Sequence, residues 1–167
     1  MKPKTMVYFS LGSNLGNRII FLQQAMLLLS QRVGTCIVAS SVYETEPWGV
    51  HGHQKYLNAV ACFQTTLSPK QVLITILNIE KQLGRVRIQN KIEPRNIDID
   101  ILFYDQLQIN TKSLKIPHPK LKYRNFVLVP LVEIASDFMV PQLNSSIREL
   151  LKTNNDTSTI IKTELSL

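Results

Sequence analysis

The chain has 167 residues, of which 44% are hydrophobic and 19% are charged, and its formal net charge is +7. This length suits one folded domain and is too short for two, so we expect a single domain over residues 1–167. The composition is typical of a soluble globular protein.

The first half of the chain predicts a strand, a helix and two further strands. Strict alternation of apolar and polar residues indicates the strands, and a cap at Asn17 begins the helix that Gly34 stops. The predicted elements cover residues 7–11, 17–32, 36–44 and 56–66. Prolines and glycines mark a loop over residues 45–55 between the last two strands.

The clearest helical signal begins at Ser68. Pro69 suits the first helical position, Gln71 completes a capping box, and Gly84 lies where the helix ends. Residues 85–94 are polar and lack periodicity, which predicts a mobile loop before the next strand.

The remaining elements predict an α+β fold. Asp105-Gln106 predicts a turn into a short partner strand over residues 107–109, forming a hairpin. Ser146 and Glu149 form a second capping box that opens a short last helix, and residues 154–167 are expected to be a loosely held tail. The order of elements matches the ferredoxin-like βαββαβ arrangement. We therefore expect an antiparallel sheet with helices packed over it, plus a hairpin and C-terminal helical additions.

Nothing in the sequence indicates export. Polar residues at positions 10–14 interrupt any apolar core of a signal peptide after Lys2 and Lys4. Cys36 and Cys62 lie in apolar, strand-like sequence without the spacing of metal ligands, which favours reduced thiols. We therefore expect a cytoplasmic protein.

Apolar and acidic residues also alternate in the predicted strand that follows the polar loop. It places Ile97, Ile99 and Ile101 on one face, and Asp98 and Asp100 on the other. Two carboxylates held this close repel each other unless a cation or a proton lies between them. Two Mg²⁺ ions would relieve the repulsion, and the alternative is the exposed polar face of an ordinary amphipathic strand.

Positive charge is concentrated between residues 81 and 124, which favours a polyanion such as a nucleotide triphosphate, a nucleic acid or an acidic lipid surface. Arg85, Arg87 and Arg95 offer planar forks that match phosphate oxygens, beside carboxylates suited to Mg²⁺. Together they predict a triphosphate site. The alternative is that Arg85 and Arg87 are solvated loop residues paired with Glu80 or Glu93.

Other candidate residues have two interpretations each. His118 lies between two prolines and is either structural or, kept neutral by neighbouring cations, a hydrogen-bond donor to phosphate. Tyr56, Asn58 and Phe126 are either ordinary core and sheet residues or a set that sandwiches and reads a flat heterocycle. The turn over residues 12–17 matches no phosphate-loop or dinucleotide motif, and we expect Asn14 there to be an exposed amide.

Several groups of residues occur in an order that is characteristic of one enzyme family. They are Leu11-Gly12-Ser13-Asn14-Leu15, Tyr43-Glu44-Thr45-Glu46-Pro47, Tyr56-Leu57-Asn58-Ala59-Val60, Glu80 with Gly84-Arg85-Val86-Arg87, Pro94-Arg95 with Asp98-Ile99-Asp100, Pro117-His118-Pro119 with Arg124, and Phe126-Val127-Leu128-Val129-Pro130-Leu131. The series resembles the 6-hydroxymethyl-7,8-dihydropterin pyrophosphokinases of folate biosynthesis over most of the chain.

The resemblance implies an ATP- and Mg²⁺-dependent enzyme that transfers pyrophosphate to the pterin's hydroxymethyl oxygen and releases AMP. Asp98 and Asp100 would hold two Mg²⁺ ions and, with Arg85 and Arg95, form the catalytic set. The implied pterin-binding residues are Thr45, Pro47, Trp48, Tyr56, Asn58 and Phe126. The implied ATP-binding residues are Glu80, Arg87, Arg95, Ile101, His118 and Arg124. Closure of the loops at 45–55 and 85–94 would exclude water.

The chain departs from the family's usual pattern at two places. Ile92-Glu93 stands where the family has Trp-Gly, and His53 stands where it has Gln, so no role is carried over to either place. We expect small-molecule substrates, no nucleic-acid or membrane partner, and a monomer. An RNA-binding module or a metal-dependent nuclease is the competing hypothesis, and salt-sensitive RNA binding would identify either of them.

Overall fold

The computed structural model describes residues 3–47, 54–85 and 93–167. Its strands and helices are, in chain order, β1 (Thr5–Ser13), α1 (Arg18–Arg32), β2 (Gly34–Ala39), β3 (Tyr43–Thr45), β4 (Tyr56–Thr65), α2 (Pro69–Gln82), β5 (Asp98–Tyr104), β6 (Ile109–Asn110), β7 (Lys115–Ile116), a 3₁₀ turn (Leu121–Tyr123), α3 (Asn125–Ala135), β8 (Met139–Val140), β9 (Ser145–Ser146), α4 (Ile147–Thr153) and β10 (Ile160–Lys162).

Within the described ranges, six strands form one antiparallel sheet. Five follow the order β10–β3–β4–β1–β5, and β2 pairs with β4 as well. The predicted α+β class and antiparallel sheet are confirmed. Among the same residues, no helix is both long and apolar enough to cross a membrane.

The sheet has a hydrophobic core on each face. One core packs side chains of the sheet against α1 and α2, and the other packs them against α3 and α4. Ile99 and Ile101 of β5 point into the first core. Asp98 and Asp100, which alternate with them, therefore face the side that α3 covers.

Local capping signals predicted two helices accurately. Ser68 caps α2 with Gln71 in a complete capping box, and Ser146 does the same for α4 with Glu149. Gly84 follows α2 with a φ of +82°, a left-handed conformation that favours glycine.

The predicted strand over residues 36–44 is wrong in its continuity, because the structure has two strands, β2 and β3. Ser40 interrupts them, since its Oγ accepts a hydrogen bond from the backbone N–H of Val60 at 2.9 Å. Gly34 opens β2 rather than capping α1. A Cβ at this position would lie 2.0 Å from the carbonyl oxygen of Gln64, so the close approach of the strands requires glycine.

The predicted hairpin partner is also wrong. Ile109–Asn110 pairs with Lys115–Ile116 and not with β5. The chain leaves β5 at Asp105, whose backbone N–H donates to Met6 O at 2.8 Å and whose Oδ1 accepts from Met6 N at 2.9 Å. These bonds end β5 against β1, and the small β6–β7 ribbon forms separately.

Two C-terminal features differ from the expectation. Helix α3 was not predicted individually, because Pro130 lies inside it and Arg124 at its N-cap offers no side-chain cap. The sequence predicted a loosely held tail over 154–167, whereas Ile160–Lys162 forms an edge strand paired with β3.

Hydrogen bonds to Glu133 link α3 to the connection between β2 and β3. Its carboxylate accepts hydrogen bonds from Ser41 N at 3.0 Å, Ser41 Oγ at 2.7 Å and Tyr43 Oη at 2.9 Å. Partial burial acts to raise the pKa of Glu133, but the hydrogen bonds from Ser41 and Tyr43 and the charge of Lys162 outweigh it and lower the pKa.

Replacing Glu133 with Gln is expected to lower the free energy of unfolding by about 1 kcal/mol at neutral pH, because charge-assisted hydrogen bonds are lost from a partly exposed site. Since the folded-state pKa lies below the ordinary value, the charged form stabilises the fold above that value, and the benefit disappears as pH falls through the folded-state pKa. Urea unfolding at neutral pH and below pH 4 measures the difference. Asp137→Asn is the control, and a Glu133→Gln effect that does not shrink in acid would contradict the assignment.

Candidate functional site

The two acidic residues of β5 lie in register with polar and small residues of its neighbours. Asp98 pairs with Gly12 of β1, and Gly12 pairs in turn with Asn58 of β4. Residues directly opposite each other on paired strands point to the same face. Asn58 and Asp98 therefore lie in one row, separated by two strand spacings, or roughly 10 Å.

Asp98 is held by two arginines from the segments on either side of residues 86–92. The Nη1 of Arg85 lies 2.5 Å from Oδ1, and the Nη1 of Arg95 lies 3.0 Å from Oδ2. Both arginines are largely buried, with 9% and 23% of their side chains exposed. A site with such charge-paired forks is suited to an anion with several oxygens.

Glu80 lies beneath this pair on the last turns of α2, and it is only 1% exposed. Its Oε1 accepts from the backbone N–H of Ile99 at 2.8 Å and also pairs with Nη1 of Arg85. Because β5 is an edge strand, the outward N–H of Ile99 needs such an acceptor. Glu80 thus orients both β5 and Arg85.

Asp100 faces a second pair of basic residues. Its Oδ2 lies 3.7 Å from Nε2 of His118 and 3.8 Å from Nη1 of Arg124. Desolvation and the neighbouring charge of Asp98 raise the pKa of Asp100 to about 7, although Arg124 opposes the shift. The two carboxylates therefore repel each other, as alternation along the strand predicted.

His118 is positioned by the backbone on both sides. Its N–H donates to Leu102 O of β5 at 3.0 Å, and its Nδ1 accepts from the N–H of Lys120 at 3.2 Å. Burial and the positive charge of Arg124 lower the pKa of His118 to about 4. The ring is neutral at pH 7, and its proton lies on Nε2, directed towards Asp100.

The other end of the row contains the amide and aromatic residues that are candidates for binding a flat heterocycle. Asn58 is 3% exposed, and its Nδ2 donates to Thr45 Oγ1 at 2.7 Å. Thr45 lies opposite Tyr56 in the pairing of β3 with β4. The guanidinium carbon of Arg124 lies 5.4 Å from the ring centre of Phe126, so Phe126 adjoins the Asp100 group as well.

Asn14 differs from its expected exposure, because it is fully buried. Its Oδ1 accepts from the N–H of Arg95 at 2.8 Å, its own N–H donates to Arg95 O at 3.1 Å, and its Nδ2 donates to Gln54 O at 3.4 Å. Asn14 thus anchors the segments that follow residues 48–53 and 86–92. Its place in a glycine turn before a helix is a local signal, but nothing local indicates its contacts with Arg95 and Gln54.

Four of the predicted site residues need separate mention. Trp48 and Arg87 lie outside the described residues, and Pro47 is half-buried at the edge of the described range. The side chain of Ile101 is 4% exposed and packs in the core beneath α1 and α2. Only its backbone is available to a ligand.

The donor set has the character of a hard-cation site. Two carboxylates, Asp98 and Asp100, are the oxygen ligands present, and among the described residues no group of three or more His, Cys, Asp or Glu side chains is placed to hold a metal ion. Mg²⁺ is commonly bound by one or two carboxylates together with substrate phosphates and water. The residues present therefore fit Mg²⁺ in company with a polyphosphate.

The chain is similar to a known enzyme family over most of its length. Residues 8–136 match the family described as 7,8-dihydro-6-hydroxymethylpterin-pyrophosphokinase. The chain is 41% identical over 132 residues to the 2-amino-4-hydroxy-6-hydroxymethyldihydropteridine pyrophosphokinase of Porphyromonas gingivalis, covering 77% of this chain and 90% of that protein. It is 42% identical over 146 residues to the enzyme of that name from Haemophilus influenzae, covering 87% and 90%.

Two longer proteins contain a similar region. The chain is 45% identical over 141 residues to the folic acid synthesis protein fol1 of Pneumocystis carinii, covering 84% of this chain but only 19% of that protein. A crystal structure of Plasmodium falciparum HPPK-DHPS with pteroate superposes with a TM-score of 0.75 at 17% identity, covering 91% of this chain and 42% of that one. The latter likeness is one of fold.

Proposed function

The chain belongs to the 7,8-dihydro-6-hydroxymethylpterin-pyrophosphokinase family, and we propose that it transfers pyrophosphate from ATP to the hydroxymethyl oxygen of 6-hydroxymethyl-7,8-dihydropterin, in folate biosynthesis. The observation that carries the proposal is the row Asn58–Gly12–Asp98 across three strands. A buried amide at one end can read a heterocycle edge, while charged groups at the other end can hold phosphates.

Asp98 and Asp100 would hold Mg²⁺, with two ions expected, and the bound metal would neutralise charge on the triphosphate during transfer. Arg85 and Arg95 form the rest of the catalytic set, and Arg87 belongs to the segment between them. The Nε of Arg95 is buried and makes no hydrogen bond within the described part of the chain, which supports an anionic acceptor there.

ATP would lie along the side formed by His118, Arg124 and the end of α2. Neutral His118 offers a proton on Nε2 and Arg124 offers a fork, so both donate to phosphate oxygens. Glu80 acts at this site by orienting Arg85, and Ile101 contributes through its backbone.

The pterin would bind at the other end of the row. Asn58, held by Thr45, would read the ring edge, with Tyr56 and Phe126 stacking on its faces and Pro47 and Trp48 adjoining it. The hydroxymethyl oxygen then attacks the β-phosphorus, the bond between that phosphorus and the bridging oxygen to the α-phosphorus breaks, and AMP leaves as the hydroxyl proton is lost. This transfer needs in-line placement rather than a protein nucleophile.

The proposal also covers the topology of the sheet, the loops and the state of the protein. The central order β5–β1–β4, with β2 and β3 both on the far side of β4, supports a ferredoxin-like core whose second strand is divided. We infer that the loops at 45–55 and 85–94 close to exclude water from the transfer. We also infer a cytoplasmic monomer with no nucleic-acid or membrane partner.

The direct test combines purified protein with ATP, Mg²⁺ and 6-hydroxymethyl-7,8-dihydropterin. AMP and the pyrophosphorylated pterin are expected in equal amounts, and neither should form when Mg²⁺ is chelated by EDTA. ADP in place of AMP would overturn the assignment as a pyrophosphokinase, and so would no AMP. RNA cleavage by the same preparation would favour the nuclease instead.

Replacing Gly12 with Ala tests the amide end of the row. The added Cβ would lie 2.9 Å from Oδ1 of Asn58, so the amide must move. We expect the KM for the pterin to rise about tenfold while the KM for ATP stays within about twofold. Steady-state kinetics measures both.

The double variant Gly12→Ala with Asn58→Ala supplies the control. Because the side chain that clashes is gone, adding Gly12→Ala to Asn58→Ala should cost little more than Asn58→Ala alone. Additive losses would show that Gly12 acts on something other than Asn58.

A further inference from the structure

The chain beyond residue 136 lies outside the family match, yet part of it contacts both ends of the site. Residues 154–163, which we call the strap, run from the start of α3 to the outer edge of β3. Arg124 and Phe126 lie at the start of α3, and Thr45 ends β3. The strap therefore borders groups proposed for both ATP and pterin.

The first contact of the strap is at the N-terminus of α3. Arg124 at the N-cap makes no side-chain cap, and instead Oδ2 of Asp156 accepts from the N–H of Asn125 at 2.8 Å. The side chain of Asn125 donates to the backbone oxygen of Asp156 and accepts from Nδ2 of Asn154 at 2.9 Å. Asp156 thus supplies, from a distant part of the chain, the acceptor that a helix start requires.

The charge of Asp156 suits this position. A carboxylate near a helix N-terminus interacts favourably with the helix dipole. The second oxygen, Oδ1, accepts a hydrogen bond from the N–H of Ser158 at 2.9 Å. This bond forms a local turn in the strap. Partial burial acts to raise the pKa of Asp156, but the hydrogen bonds from Asn125 and Ser158 outweigh it and lower the pKa.

The second contact of the strap is along β3. Ile160 pairs with Thr45 in an antiparallel ladder, and Thr163 donates from both N and Oγ1 to Val42 O at 2.9 Å. This pairing gives the backbone groups on the second edge of β3, a strand of three residues, their hydrogen-bond partners. Thr45 in turn holds Asn58 through the hydrogen bond between their side chains.

We propose that the strap positions the substrate-binding groups at both ends of the site, with Asp156 as the positioning residue for Arg124 and Phe126. This inference rests on the proposed function for its effect on catalysis. Loss of the Asp156 carboxylate would let the first turn of α3 fray, so that Arg124 and Phe126 leave their places more often. Because both are proposed to contact bound substrates, the loss should appear mainly in substrate affinity.

Three variants test the strap. Asp156→Ala removes the acceptor, Asp156→Asn keeps one acceptor oxygen for Asn125, and Asp137→Ala removes an acid from an exposed ion pair with Arg148. A helix cap changes a local equilibrium by about fivefold, so Asp156→Ala should raise the KM for ATP and for the pterin by about that factor. The kcat should stay within about twofold, Asp156→Asn should recover most of the loss, and Asp137→Ala should match the wild type.

A merely structural role would lower kcat through a smaller folded fraction and leave both KM values unchanged, which would overturn the proposal. Amide hydrogen exchange of residues 125–128 provides a readout that does not depend on activity. Exchange there should be about fivefold faster in Asp156→Ala than in the wild type. If the wild-type protein forms no AMP, the proposed function fails, and unchanged exchange at residues 125–128 would separately overturn the strap.

Discussion

Replacing Asp98 with Ala is expected to abolish pyrophosphate transfer, with a fall in kcat of about a thousandfold or more. We expect the same fall in kcat for Asp100→Ala. Each change removes one of the two carboxylates that would hold Mg²⁺ against the triphosphate, an interaction worth several kcal/mol in the transition state. The affinity for ATP with Mg²⁺ should fall more than the affinity for the pterin, because Asn58, which is proposed to read the pterin edge, lies at the other end of the row. Single-turnover kinetics and calorimetric titration measure the two effects.

Two control variants separate the metal from general damage. Asp98→Asn keeps the shape of the side chain while it removes the charge that pairs with Arg85 and Arg95, so it should be nearly as inactive as alanine. Asp105→Asn changes an acid just beyond the same strand, where the side chain bonds only to the backbone of Met6 among its described contacts, and it should retain turnover. Full activity in either alanine variant would show that this carboxylate is not needed to hold the metal.

Sequence patterns that depend only on neighbouring residues predicted the local structure correctly. Capping boxes at Ser68 and Ser146 need only neighbouring residues, and both are present. Alternation around Asp98 likewise predicted which side chains are buried, because strand geometry alone determines it. Asn58 of β4 and Asp98 of β5 lie in one row through Gly12 of β1, and Asp100 lies near His118 and Arg124, but the sequence pattern alone does not indicate these neighbours.

Features with a distant cause were missed. Asn14 looked exposed from its turn sequence, but it is buried because Arg95 and Gln54 bond to it across 81 and 40 residues. Helix α3 has its cap acceptor 31 residues away in Asp156, so no local signal marks its start. The strand over residues 36–44 divides because Val60 of another strand bonds to Ser40. In each case the partner that decides the structure lies far along the chain.

Replacing Glu80 with Ala is expected to lower the free energy of unfolding by about 3 kcal/mol, which is more than the loss expected for Glu133→Gln. The change leaves the buried N–H of Ile99 without its acceptor and removes one of the two carboxylates that offset the charge of Arg85. Thermal unfolding should show a fall in Tm of roughly 6–12 °C for a chain of this size. Glu80→Gln keeps an acceptor for Ile99 and should lose only about 1 kcal/mol, so the difference between the two variants measures that hydrogen bond together with the packing of the buried side chain. An alanine variant as stable as the glutamine variant would show that the hydrogen bond from Ile99 N–H to Glu80 contributes little to stability.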